Sequence, residues 1–360
     1  MLSKANLSLE SEAYLMKALV LTGPREFSYQ DVETPVPGPG EVRVRVRVCA
    51  VCGSDVHGID GSTGRRRPPV IMGHEASGVI DMVGEGVKGW HTGERVTFDS
   101  TIYCGVCDMC RAEHVNLCAD RRVLGVSCAE YRQDGAFAEY VCVPERILYR
   151  LPDAVSFLQA SMVEPLSIAC HAALRAPLKR GCDALVAGVG TIGMLTVQVL
   201  KSMGAGRVIA ADIDEARLEM ALRCGADAAV NGAKPDALQQ IMDMTGGKGV
   251  DLAFDATGIS ATVNLCARAG TLNAHIVLIG NVAPEVGFPL QIAVTRQQTY
   301  HGSCASAGEY PRCLEMIASG AIDAAALVSR VVPLSEGAQW INRVYDREPG
   351  LYKIALEVSR

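Results

Sequence analysis

The sequence predicts an α/β protein of two domains, a β-rich domain interrupted by a doubly wound parallel sheet. Three observations carry this. From Met16 the chain reads as strands, with Val42, Val44, Val46 and Val48 alternating with Arg43, Arg45 and Arg47. From Gly181 the texture changes to short apolar strands alternating with longer helices, the pattern of a parallel sheet. Late segments, Tyr300 to Cys304 and Leu351 to Val358, return to strand character and are assigned back to the β-rich domain. The expected boundaries are 16–163 and 299–360 for the β-rich domain and 164–298 for the parallel sheet.

At 360 residues, with 49% hydrophobic and 21% charged residues, the composition is that of an ordinary globular protein. A net charge of −6 gives no footprint for a polyanion, which argues against nucleic acid as a partner. No apolar run reaches the roughly 18 residues that a membrane span needs. Residues 1–15 lack an apolar signal-peptide core and read as a frayed extension. Fourteen cysteines without an export signal point to a reducing cytoplasm rather than to a disulfide framework.

In chain order, the rigid turn Pro35 to Gly40 leads into the half-buried strand from Glu41 to Val48, whose arginines are expected on its solvated face. Cys52-Gly53-Ser54-Asp55-Val56-His57 follows as a short helical turn. Gly61 to Pro69 reads as a flexible loop. Its triplet Arg65-Arg66-Arg67 is a solvated basic run on one reading and a binder of an acidic or phosphorylated substrate on the other. Then comes Gly73-His74-Glu75-Ala76-Ser77-Gly78, in which imidazole and carboxylate stand side by side in a glycine-broken β run. Together with Cys52 they form a thiolate, imidazole and carboxylate set that suits Zn²⁺ and leaves a fourth position open for chemistry.

Cys104, Cys107, Cys110 and Cys118 give C-x2-C-x2-C-x7-C within one loop. Four thiolates complete a tetrahedral zinc with no vacancy, a structural rather than a catalytic site. An iron–sulfur cluster is the competing reading, opposed by the x7 gap and by the lack of proline after Cys118. Gly135 to Val143 reads as another core strand. Met162-Val163-Glu164-Pro165-Leu166-Ser167 opens a helix, with Pro165 in its first turn and Glu164 an acid favoured by the helix dipole. The strand Ala184 to Ala187 runs into Gly188-Val189-Gly190-Thr191-Ile192-Gly193, and a helix is expected from Met194 to Met203. With Asp212 ending the next strand, this is a complete dinucleotide fingerprint: the glycines let backbone amides approach a pyrophosphate, and Asp212 accepts from the adenosine ribose of NAD.

The run G-H-E-x2-G-x5-G-x2-V, together with C-G-S-D-x-H, the four-cysteine lobe, E-P-L-S and G-x-G-x-x-G in the same order, resembles the zinc-dependent medium-chain dehydrogenases from Met16 to the C-terminus. The resemblance implies a GroES-like catalytic domain, a Rossmann domain and a cleft site between them. It implies two zinc ions, a catalytic one on Cys52, His74 and Glu75 with Glu164 on or near it, and a structural one on the four cysteines. It gives Asp55 the role of orienting a zinc ligand. Ser54 and His57 become a proton relay; without the resemblance they read as a helix cap and a surface imidazole. Arg217 is placed near the adenine ribose, and Ile279 and Asn281 near the nicotinamide. Glu164 in place of a third zinc-binding cysteine resembles the sorbitol and threonine dehydrogenases, which implies a polyol substrate, NAD, and a homo-oligomer, either tetramer or dimer. Gly58, Ala305 and Ser306 depart from the tyrosine and the Arg-Tyr pair of animal-type sorbitol dehydrogenases, which leaves a sugar-alcohol phosphate or a sugar acid as alternatives to a neutral polyol; L-threonine is the alternative that the Glu164 resemblance itself offers, and a non-catalytic NAD- and zinc-binding protein is the alternative from another class.

Overall fold

The computed structural model describes residues 14–359. The extension expected over 1–15 therefore lies outside the described residues up to position 13. Leu15 already belongs to the first strand, Leu15–Gly23, where it pairs with Glu33.

Strand Glu41–Ala50 is the spine of a seven-stranded sheet, pairing antiparallel with Glu75–Val83, Tyr140–Pro144 and Ile354–Glu357. Arg95–Phe98, Leu148–Arg150 and Arg330–Pro333 complete it. Alternation explains its burial, since Val42, Val44 and Val46 are fully enclosed. The arginine face is less free than expected. Arg45 is exposed, but Arg43 donates to Asp81 at 2.7 Å and lies over the Tyr140 ring, partners carried by the two neighbouring strands close to the residues it pairs with, Met82 and Cys142. The strand expected over Gly135 to Val143 forms only as Tyr140–Pro144, with residue 138 in a single bridge to Ala18.

The second sheet is six-stranded and wholly parallel, in the spatial order Ala228–Asn231, Arg207–Asp212, Asp183–Ala187, Val250–Asp255, Gly270–Leu278 and Thr299–Gly302. Its first strand in the chain lies third in space, so the order reverses between Asp183–Ala187 and Val250–Asp255, the point where this architecture opens a crevice. Thr299–Gly302 corrects the sequence reading. Tyr300 to Gly302, assigned to the β-rich domain, pairs in parallel with Gly270–Leu278, His275 opposite Thr299. A four-residue apolar strand carries no mark of the sheet it will join. Ile354–Glu357 does pair with Glu41–Ala50, so the β-rich sheet is built from both ends of the chain.

Helix Val163–Leu174 joins the two halves. Val163, Leu166, Ala169, Cys170, Ala172 and Ala173 are fully buried, and one core cluster runs from Ala50 and Ala355 of the β-rich sheet through this helix to Val186 and Phe254 of the parallel sheet. Leu166→Ala there would cost about 2–5 kcal/mol. Helix Thr191–Ser202 packs on it, starting three residues earlier than the sequence reading, directly at the glycine motif.

Candidate metal and dinucleotide sites

The ladder that pairs Ala50 with Glu75 fixes the first site. Two residues past Ala50, Cys52 caps the short helix Gly53–Gly58, while Glu75 opens the partner strand with His74 just before it. Register alone thus brings thiol, imidazole and carboxylate together, their ligand atoms all within 4.8 Å of one another. Two glycines make this possible. Gly73 has φ +92° and a Cβ there would strike the Phe137 ring at 2.3 Å, while a Cβ on Gly78 would lie 2.2 Å from the Arg45 carbonyl oxygen.

His74 and Glu75 are buried, at 4% and 0% exposure. Glu75 Oε2 accepts from Lys353 Nζ, and its Oε1 is enclosed with no hydrogen-bond partner. His74 Nδ1 lies 3.5 Å from Asp55 Oδ1, within reach of charge attraction but without a hydrogen bond. Burial would raise the pKa of Asp55, but the charges of His74 and Arg66 outweigh it and hold the carboxyl well below the usual carboxylate range. Burial opposes a charge on His74 too, yet Asp55 and Cys52 push its pKa well up. The pocket therefore attracts positive charge. A soft thiolate, a borderline imidazole and an orphaned carboxylate oxygen form a donor set that fits Zn²⁺.

Glu164 stands beside this group rather than within it. Its Oε1 accepts from Ser100 Oγ at 2.8 Å, and burial raises its pKa, with the charges of His74 and Glu75 acting on it from nearby. Ser54 and His57 are both exposed and share one face of helix Gly53–Gly58, three residues apart. Among the described residues no hydrogen bond joins them. The arginine triplet needs correction. Arg65 and Arg67 are exposed, but Arg66 is 3% exposed and donates to Asp55 Oδ1 at 2.9 Å, so it is neither a solvated side chain nor a free cation for a substrate anion.

The four cysteines of the lobe lie together, with sulfur–sulfur distances of 4.0 Å (Cys104–Cys110), 3.5 Å (Cys107–Cys110) and 3.9 Å (Cys107–Cys118). Tetrahedral Zn–S bonds would set sulfurs about 3.8 Å apart. Amides of Val106 and Cys107 point at Cys104 Sγ. A backbone donor at Ala119 helps to lower Cys107 to about 6, while desolvation and the neighbouring sulfurs raise Cys110 to about 12. Four thiolates this close need a cation, and the set fits a closed zinc site.

At the crevice of the parallel sheet, Gly188 has φ +88°, and a Cβ on Gly193 would lie 1.9 Å from the Gly188 carbonyl oxygen, which packs the helix start onto the strand. A Cβ on Gly190 would meet nothing within 4 Å; here the backbone faces open space. Asp212 ends its strand with Oδ2 accepting from Val189 N at 2.8 Å and Oδ1 from Ile213 N at 2.8 Å, so the carboxylate is fixed at the rim of the glycine turn. Arg217 Nε lies 3.8 Å from Asp214, beside Asp212. Ile279 follows the fifth strand, its amide bonded to Asp255 O, and Asn281 is exposed just beyond it. The motif fits a dinucleotide.

Sequence reasoning missed Lys353, Arg66 and Ser100. Lys353 is a lone cation ahead of a strand, 278 residues from Glu75, and only the pairing of Ala355 with Ala50 brings it there. Arg66 had no local mark to separate it from its two neighbours.

Residues 38–153 match the family described as alcohol dehydrogenase GroES-like domain, and residues 191–319 match the zinc-binding dehydrogenase family. The chain is 30% identical to the sorbitol dehydrogenase of Bacillus subtilis (strain 168) over 351 residues, 96% of this chain and 98% of that one. It is 32% identical to the "Probable D-xylulose reductase A" of Aspergillus terreus over 336 residues, 91% and 94% of the two chains. Among solved structures, an alcohol dehydrogenase from Escherichia coli CFT073 complexed with cofactor NADH superposes with a TM-score of 0.88 at 32% identity, covering 95% of this chain and 99% of that one.

Proposed function

Because the chain belongs to the zinc-dependent medium-chain alcohol dehydrogenases, we propose that it oxidises a secondary hydroxyl of a neutral sugar alcohol to the ketose, reducing NAD⁺ to NADH and releasing a proton. The observation that carries the substrate class is Glu164, a buried carboxylate held by Ser100 beside Cys52, His74 and Glu75. The sorbitol dehydrogenase and D-xylulose reductase relatives support the same class.

Cys52, His74 and Glu75 hold the catalytic zinc, with Glu164 at its edge, and Cys104, Cys107, Cys110 and Cys118 hold the structural one. Bound zinc supplies a Lewis acid that makes the substrate hydroxyl easier to deprotonate. Asp55 orients His74, and Lys353 holds Glu75 through one oxygen, leaving the other for the cation. Ser54 receives the proton from the substrate side, and His57, exposed at the end of the same helix, passes it to solvent. Gly188, Gly190, Ile192 and Gly193 cradle the pyrophosphate, and Asp212 accepts from the ribose hydroxyls and repels a 2′-phosphate, favouring NAD over NADP. Arg217 packs beside that ribose, and Ile279 and Asn281 flank the nicotinamide.

An anionic substrate is the weaker reading. Arg66 is already paired with Asp55, and the buried carboxyls of Asp99 and Glu164 stand near the site. The exposed apolar side chains of Phe288, Leu290 and Val294, near the edge strand Thr299–Gly302, support a homo-oligomer, a tetramer or dimer. Fourteen unbridged cysteines support a cytoplasmic setting. No helix among the described residues is long and apolar enough to cross a membrane.

The test is kcat/KM for sorbitol, galactitol, xylitol, galactitol 1-phosphate, gulonate, threonine and ethanol, each with NAD⁺ and NADP⁺. The highest value should fall on a neutral polyol with NAD⁺. A maximum on ethanol, or on any substrate with NADP⁺, would overturn the reading.

A further inference from the structure

Asp55, beside His74, and Glu75 itself each have a buried cation of their own: Arg66 on Asp55 at 2.9 Å, and Lys353 on Glu75. The Arg66 arrangement is built rather than incidental. The backbone on both sides of it is pinned to one residue, Ser127 N donating to Arg65 O at 3.1 Å and Arg67 N to Ser127 O at 2.9 Å. Its stem fills space that only a glycine at position 58 leaves open, since a Cβ there would lie 2.6 Å from Arg66 Cγ. Nη1 caps Arg65 O at 3.1 Å, Nη2 reaches Asp55 Oδ1 and, at 3.5 Å, Ser54 Oγ, while Nε is buried without a partner. An arginine with exposed arginines on both sides gains nothing by such burial unless its charge is used inside.

Asp55 faces His74, its Oδ1 lying 3.5 Å from Nδ1. A carboxylate there with no partner of its own would add its negative charge to the imidazole and, through it, to the metal site. With Arg66 attached that charge is offset in part, as Lys353 offsets the charge of Glu75. The charges left to act on the cation are then the Cys52 thiolate and Glu164. On the reading of Cys52, His74 and Glu75 as a zinc centre, we propose that Arg66 is a positioning residue that sets the charge of that centre: it offsets the charge of Asp55, so that His74 is oriented by a carboxylate that strengthens it less than an unpaired one would. A cation held there would keep more of its own charge for a substrate oxygen. Gly58 belongs to the same device, because it makes room for the arginine stem.

Zinc affinity tests this with a sign that a structural role would not give. Removing a buried positive charge next to a cation site should tighten zinc binding, by about tenfold for one charge acting through protein; loosening the scaffold should weaken it. The full-length protein and its R66M, R66K, D55N and R66M/D55N variants would be competed against a zinc chelator of known affinity, with zinc per chain counted and the four-cysteine lobe as internal reference. The expected result is R66M about tenfold tighter, R66K near wild type, D55N about tenfold weaker, and the double variant returned toward wild type. R66M that folds and binds zinc no tighter than wild type would overturn the role of Arg66. If R66M does not fold, the double variant decides: recovery relative to D55N supports the proposal, and affinity as weak as D55N overturns it. Wild-type protein holding no zinc beyond the lobe would instead overturn the reading of the centre itself.

Discussion

Replacing Lys353 with methionine removes the partner of a fully enclosed carboxylate. Lys353 and Glu75 have side chains 3% and 0% exposed, and Glu75 Oε1 already lacks a hydrogen bond, so K353M leaves both carboxylate oxygens without a donor. Breaking a buried pair by removing one partner costs about 3–5 kcal/mol, a large share of the roughly 5–15 kcal/mol of a typical native protein. Burial would lower the pKa of the Lys353 ammonium, but Glu75 and Cys52 raise it above its ordinary 10.5. The contribution of a base raised in this way is complete below 10.5 and lost only as pH climbs through the folded value, so the deficit should be equal at pH 7 and pH 9. Urea unfolding of chelator-treated wild type, K353M and K353M/E75Q measures it. The double variant, which removes both charges, should recover most of the loss, and saturating zinc should shrink the K353M deficit by supplying the missing positive charge. A K353M protein within about 1 kcal/mol of wild type without metal would refute the reasoning.

Two further perturbations follow from the same geometry. His57→Ala should slow polyol oxidation on the order of a hundredfold below neutral pH and progressively less toward alkaline pH, where hydroxide replaces the missing base, with zinc content unchanged; a pH–rate profile superimposable on wild type removes His57 from the relay. Asp99 is raised by burial to about 7 from 3.8; between those values the folded protein holds a proton that the unfolded chain has lost, so its burial costs stability increasingly as pH rises through that window. D99N keeps an acceptor for the Thr101 amide, which now donates to Asp99 Oδ1 at 2.8 Å. It should be near neutral at pH 4 and more stable than wild type at pH 7 by at most about 4 kcal/mol, or about three pH units at ~1.4 kcal/mol each; equal urea midpoints at pH 7 would contradict this.

What could be read in the sequence was what short spacing encodes. The four cysteines meet because their loop is short, and Gly188 to Gly193 form a turn wherever a strand precedes and a helix follows. Cys52 and His74 were separable from background only by their glycine context, Gly73 and Gly78 being forced by the Phe137 ring and the Arg45 carbonyl. The rest depends on chain-distant pairing. Lys353 reaches Glu75 because the last strand inserts beside Glu41–Ala50, and Thr299–Gly302 joined the parallel sheet because Gly270–Leu278 offered a free edge. Arg66 turns inward while Arg65 and Arg67 do not, because the backbone bridge to Ser127 aims alternate side chains to opposite sides.

Zinc per chain in wild type and in Cys52→Ser, measured by elemental analysis alongside polyol oxidation, tests the site most directly, since Cys52 joins the one donor cluster and is absent from the other. Two zinc ions in the wild type, and one in a folded C52S protein that has lost activity, is the predicted result. A C52S protein that keeps both zinc ions and full activity would contradict the assignment of Cys52, His74 and Glu75 as the catalytic centre.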